Sequence, residues 1–167
     1  HAHLYHCVLL LQLVKEGFRG RIHCTPATRE VSRIILLDSA RIQVEDAEYK
    51  RRRHEQEGRP GPHPEVPLYT VEDAEACFPL FADVEYETPS AIVDGIEATY
   101  NDAGHILGSA SISLRVKHNG EDKTILFSGD VGRWDTPILN DPVLPRQADY
   151  VLVESTYGNR RHGNNEA

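Results

Sequence analysis

The spacing of apolar residues changes character about halfway along the chain. From Cys7 to Glu16 the apolar positions Val8, Leu9, Leu10, Leu11, Leu13 and Val14 are dense enough for a buried helix, and Gly17 supplies its C-terminal stop. Arg21-Ile22-His23-Cys24 reads as a short strand. Thr25-Pro26 then opens a second helix, because threonine caps well and proline is tolerated at the first helical position. That helix carries Val31, Ile34, Ile35 and Leu37 before its apolar stripe fades toward Ala40. Glu45 to Glu57, with Arg51-Arg52-Arg53, is almost wholly polar and reads as a solvent-exposed helical extension in preference to an RNA contact. Residues 58–67 contain Pro60, Pro62, Pro64 and Pro67, which excludes helix and predicts an extended surface loop. Thr70-Val71-Glu72-Asp73 resembles a capped helix start, with the helix ending near Pro79.

From Phe81 onward the runs shorten and become β-like: Val84 to Tyr86, Ile96 to Tyr100, Ser111 to Val116, Thr124 to Phe127 and Tyr150 to Val153. His118-Asn119-Gly120 is a hairpin turn signal between two of them. Taken as a whole protein, helices followed by strands would give an α+β arrangement. The length of 167 residues and a hydrophobic content of 40% predict one globular unit with a packed core.

Charge narrows the function classes. With 26 acidic against 18 basic side chains, the formal net charge is -8, so composition shows no general attraction for nucleic acid and argues against a simple RNA-binding module. A metal-dependent enzyme is less affected, because bound dications put positive charge where a phosphate would sit. Cys7, Cys24 and Cys77 are odd in number, far apart and without a C-x-x-C pair, which argues against a disulfide framework or zinc ribbon and suits a reducing compartment. No run approaches the roughly 18 apolar residues of a membrane span, so no membrane association is expected. No signal-peptide pattern precedes the first motif, but the chain opens on that motif, so a missing leader carries no weight.

Three segments place metal-ligand side chains beside glycines or at strand ends. In His1-Ala2-His3-Leu4-Tyr5-His6, residues two apart in an extended loop project to one side. His1 and His3 can therefore reach one cation while His6, at a helix start, faces a neighbouring one. Asp102-Ala103-Gly104-His105 follows one strand and Ser128-Gly129-Asp130 another. Glycine after a strand end leaves room for a ligand beside a firmly held side chain. Three imidazoles and one carboxylate suit a zinc shell.

Together these segments resemble the metallo-β-lactamase superfamily, with its H-x-H-x-D-H motif followed by a downstream His and Asp. Asp102-Ala103-Gly104-His105-Ile106-Leu107-Gly108-Ser109-Ala110 and Val153-Glu154-Ser155-Thr156-Tyr157-Gly158 narrow the resemblance to the β-CASP RNA-processing nucleases, and Phe127-Ser128-Gly129-Asp130-Val131-Gly132-Arg133 belongs to it too. The resemblance runs from His1 to His162. It implies an α/β fold, a partial αββα sandwich spanning residues 1–167 that lacks the N-terminal strands and the β-CASP domain. It also implies two Zn2+ ions: His1, His3 and His105 on one, and Asp130 bridging to a second that His6 also binds. Glu154 would orient a histidine further along the chain, outside these residues, that protonates the leaving oxygen, so Asp130 and Glu154 are the catalytic candidates. The implied activity is two-metal hydrolysis of a phosphodiester in single-stranded RNA, endo- or exonucleolytic, by a cytoplasmic enzyme working as a homo-oligomer or in a processing complex.

One position departs from the motif: Tyr5 stands where the resemblance implies a carboxylate ligand. A neutral phenol is a poor replacement, which predicts an impaired second metal site and a mononuclear or metal-poor protein. Two rival functions follow: a catalytically inactive homologue that binds RNA or a partner, and a hydrolase of small thioesters or lactones on the same fold. Cys7, beside His6, reads as a small buried helix residue ahead of a thiolate ligand, and Arg160-Arg161-His162 as an exposed tail ahead of a phosphate contact. Unpaired sheet edges and an uncovered core predict marginal stability for the isolated chain.

Overall fold

Thr25 starts the longest element, as its sequence suggests. In the computed structural model, which describes residues 1–59, 61–145, 147–156 and 158–159, its hydroxyl accepts the Thr28 amide at 3.3 Å and Pro26 takes the first helical position. Pro60, Tyr157 and the Arg160-Arg161-His162 stretch lie outside the described residues. The helices are α1 (Leu4–Cys7), α2 (Leu9–Lys15), α3 (Pro26–Glu57) and α4 (Val71–Cys77). The strands are β1 (Ile22–Cys24), β2 (Phe81–Asp83), β3 (Ser90–Val93), β4 (Ile96–Asp102), β5 (Ala110–His118), β6 (Glu121–Phe127) and β7 (Tyr150–Leu152).

The polar extension expected after Ala40 is continuous with the apolar half, giving α3 32 residues. It ends at Gly58, whose φ of 63° is left-handed backbone that glycine adopts without strain. Residues 61–67 fold back on this arm, where Glu65 pairs with His54 and its carbonyl accepts from Arg51 Nη2 at 3.3 Å. The first apolar run begins earlier than expected and is interrupted at Val8, giving α1 and α2 in place of one buried helix. Leu11 and Val14 are buried while Leu9 and Leu13 are exposed, because a helix laid on one layer buries a single face. The helix α4 carries a full capping box, Thr70 Oγ1 accepting from the Asp73 amide and Asp73 Oδ2 from the Thr70 amide.

Two strand assignments differ from expectation. The run Val84 to Tyr86 is not a strand; β2 lies just before it, in parallel register with β1 through Ile22↔Phe81 and Cys24↔Asp83. A parallel partner nearly 60 residues away in sequence, invisible to local alternation, selects that segment. The strand β3, four residues long and following Pro89, was too short to stand out. The second sheet runs β3-β4-β5-β6-β7, antiparallel except for the parallel β6–β7 pair. Asn119 and Gly120, with φ of 53° and 83°, make the two-residue turn between β5 and β6.

The architecture is thus α/β with mixed sheets, compatible with a sandwich. One core gathers Cys7, Leu11, Val14, Leu36, Tyr69, Ala74, Cys77 and Phe81 between the helices and β2; a smaller one gathers Val84, Ala98 and Tyr100 on the larger sheet. Tyr100 links them, its hydroxyl donating to the His23 carbonyl at 3.2 Å. No helix among the described residues is long and apolar enough to cross a membrane.

Candidate metal centre

His1 and His3 enter from the helical side. Ala2 between them is fully buried and the extended backbone turns both imidazoles the other way, with His1 Nε2 2.9 Å from His3 Nδ1. The Cys7 thiol donates to the carbonyls of Ala2 and His3 at 3.6 and 3.4 Å, so it fastens this segment from behind. Burial raises its pKa, which disfavours the thiolate a metal would need.

His105 comes from the loop after β4. Ser109 Oγ accepts the amides of His105 and Ile106 at 3.0 and 3.3 Å, and Asp102 Oδ1 accepts that of Gly104 at 2.9 Å. The far end of the loop is pinned to the start of α3, where Thr25 and Thr28 hydroxyls donate to the Gly108 carbonyl at 2.7 and 2.8 Å. Gly108 has a φ of 82°, and a Cβ there would stand 2.4 Å from the Thr28 amide nitrogen, so the close approach requires glycine.

Asp130 follows β6. Glu154 Oε1 accepts the Val131 amide at 2.7 Å, while the Glu154 amide donates to Ser128 Oγ at 3.0 Å. Glu154 therefore brackets the Asp130 turn from both sides. The Gly132 amide donates to the Ala103 carbonyl at 2.7 Å, tying this turn to the His105 loop.

These segments converge. One donor atom each from His1, His3, His105 and Asp130 lies within 4.8 Å of the others. Asp130 Oδ2 is 3.4 Å from His1 Nε2, 3.6 Å from His105 Nε2 and 3.9 Å from His3 Nδ1. Zinc bonds of about 2.0–2.1 Å in a tetrahedron imply donor separations of roughly 3.3 Å, close to those spacings. His105 Nε2 is buried without a hydrogen-bond partner, an orphaned ring nitrogen that a cation would satisfy. The residues present thus fit a metal cation. His6 stands apart, its Nε2 3.6 Å from Oδ1, the other carboxylate oxygen.

Tyr5 lies at the exposed edge of the cluster. Its hydroxyl donates to Asp130 Oδ2 at 2.5 Å and lies 3.2 Å from His3 Nδ1. Partial burial pushes the Asp130 carboxyl up, but the Tyr5 hydrogen bond and the fields of His6, His105 and His3 outweigh it and leave the pKa below its ordinary value. The same hydrogen bond, with smaller contributions from desolvation and the Asp130 and Glu154 charges, raises that of Tyr5.

Sequence reasoning named His1, His3, His105 and Asp130, which come together, and Glu154, which supports the Asp130 turn. It missed the Tyr5–Asp130 hydrogen bond and the pinning hydroxyls of Thr25 and Thr28, because these link residues 125 and about 80 apart with no local pattern to betray them.

No family model matches the chain. It is similar to a ribonuclease of Thermus thermophilus, 32% identical over 162 residues, covering 97% of this chain and 32% of that protein. A transcription termination factor, FttA, of Methanocaldococcus jannaschii is also 32% identical, over 95% of this chain and 22% of its own length. Endoribonuclease ysh-1 of Neurospora crassa is 30% identical over 97% of this chain and 17% of its own length. The chain therefore spans about a third or less of the length of these curated relatives.

Proposed function

We propose that residues 1–167 form a partial metallo-β-lactamase-like domain of a zinc-dependent phosphodiesterase that cleaves single-stranded RNA, of the β-CASP kind. The observation that carries this reading is the convergence of three imidazoles from two distant segments with Asp130, around the buried, unpartnered His105 Nε2. The similar proteins, two nucleases named for RNA and a transcription termination factor, support RNA as the substrate class.

His1, His3, His105 and Asp130 would hold the ion, which when bound supplies Lewis acidity for water activation near neutral pH and offsets phosphate charge. The chain's own contribution is preorganisation. Ser109, Thr25 and Thr28 fix the His105 loop, and Glu154 fixes the Asp130 turn, so neither ligand segment must order itself when substrate arrives. The acidic surface contributes little to substrate attraction, leaving charge at the centre to do so.

The test is cleavage of an end-labelled single-stranded RNA by the full-length protein carrying this segment. Activity lost on chelation, restored by zinc and abolished in Asp130→Asn supports the reading; undiminished cleavage by Asp130→Asn overturns it. A second reading, a binding homologue without catalysis, is favoured by the Tyr5 hydroxyl lying on Asp130. Cleavage only after Tyr5→Asp would select it.

A further inference from the structure

We infer that the described residues build one cation position and not two, and that Tyr5 both closes the second position and positions Asp130 for the first. The inference rests on the metal-centre reading above. The Asp130 carboxylate faces two ways. The closest approaches of His1, His3 and His105 are to Oδ2, whereas that of His6 Nε2 is to Oδ1, at 3.6 Å.

Among the described residues, a cation between Oδ1 and His6 would meet two donors, while zinc sites are built from three or four. Two rings stand beside His6: that of His1, with its centroid 4.3 Å away and its nearest approach to Asp130 through Oδ2, and that of Tyr5, 4.4 Å away at an interplanar angle of 50°. A neutral phenol adds no carboxylate charge to hold a second dication, and its tilted ring lies against the His6 imidazole. The site is therefore asymmetric: a four-donor side and a side with two donors and a phenol.

Tyr5 has a second consequence. Its hydroxyl is committed to Oδ2, the oxygen that faces the three imidazoles, at 2.5 Å. A donor held there selects the carboxylate orientation in which Oδ2 is presented to the cluster. Glu154 holds the backbone of the same turn through Val131, so Asp130 is restrained at both main chain and side chain. Tyr5 is thus a positioning residue, acting through Asp130, and groups of this kind typically carry about 10–100-fold in metal affinity.

The test titrates zinc alone into the full chain after chelator dialysis, reading stoichiometry by elemental analysis and affinity by competition with a chromophoric chelator. Tyr5 is 68% exposed, so its variants leave the core intact, and far-UV circular dichroism verifies this. The expected results are one zinc per wild-type chain, one zinc bound about 10–100-fold more weakly by Tyr5→Phe, and two zincs on Tyr5→Asp. Two zincs on the wild type, or a Tyr5→Phe chain with unchanged affinity, overturn this inference while leaving the metal centre standing. No zinc on either the wild type or Tyr5→Asp overturns the metal centre itself.

Discussion

The helical layer and the far edge of the large sheet are built from similarly apolar residues and treat them oppositely. Leu36 and Cys77 are fully buried among helices, whereas Tyr150, Val151 and Leu152 of β7 are each more than half exposed. The difference lies in partners. The helices α2, α3 and α4 and the strand β2 enclose one another's apolar faces; β7 has β6 on one side only and nothing laid over it among the described residues. Apolar content therefore does not measure how much stability a segment contributes, because only area removed from water counts.

That contrast can be broken by a pair of substitutions. Leu36→Ala should cost about 2–5 kcal/mol, through lost burial plus a cavity. Val151→Ala should change stability by no more than about 0.5 kcal/mol, since its side chain is already in water. Urea unfolding followed by the helical far-UV signal measures both. Equal costs would mean that β7 is covered in solution. With so much apolar surface open on the sheet, the isolated chain is also expected to melt broadly, and a single sharp transition would contradict the picture.

The candidate centre sits on the seam between these regions. His1 and His3 belong to the helical side and His105 and Asp130 to the sheet, so a bound ion would staple the two together. Zinc at a hundredfold excess over its Kd should stabilise the folded chain by about 2.7 kcal/mol, and His105→Ala should abolish most of that gain. Thermal melts with zinc and with chelator provide the measurement. A gain that survives in His105→Ala would place the ion elsewhere.

The seam also explains which features were legible in the sequence. Local chemistry announced itself: Thr25-Pro26 began α3, Asn119-Gly120 turned β5 into β6, and Thr70 and Asp73 closed a capping box. The H-x-H spacing predicted that His1 and His3 would share a side, and glycine after strand ends marked His105 and Asp130. What stayed hidden depends on partners distant in sequence. Pairing with β1 chose Phe81–Asp83 over the Val84 run as a strand, and only the folded chain brings Tyr5 to Asp130 or Glu154 to the Val131 amide.

Gly132 tests the join between the two ligand loops of the sheet side. A Cβ at this position would lie 1.7 Å from the Gly104 carbonyl oxygen and 2.6 Å from the His105 amide nitrogen, both main-chain atoms with little freedom to yield. Gly132→Ala should therefore cost about 1–3 kcal/mol and weaken zinc binding, because relieving the clash moves the His105 loop away from the Asp130 turn. Gly120→Ala, with open space around it, should retain wild-type zinc affinity despite its strained φ of 83°. Comparable losses of zinc affinity in both would argue that loop separation is irrelevant to the centre.

The smallest effect near neutrality concerns the thiols of the closed region. Burial, with the Asp83 charge adding for Cys24 and Cys7 adding for Cys77, pushes both pKa values up to about 11. Both groups are neutral in the folded and the unfolded chain near pH 7, so stability should be flat there on their account. Because the folded values lie above the ordinary 9.0, the unfolded chain ionises first as pH rises. Their contribution is complete below about pH 9 and is lost as pH climbs toward about 11. Tyr86 and Tyr100, raised mainly by burial, act with the same sign, so Cys24→Ala with Cys77→Ala should shrink the alkaline loss without removing it. At pH 8, iodoacetamide should modify the two cysteines only after denaturation. Rapid labelling of Cys77 in the native chain would show that the helical layer opens as readily as the sheet edge, and the contrast between the two regions would be lost.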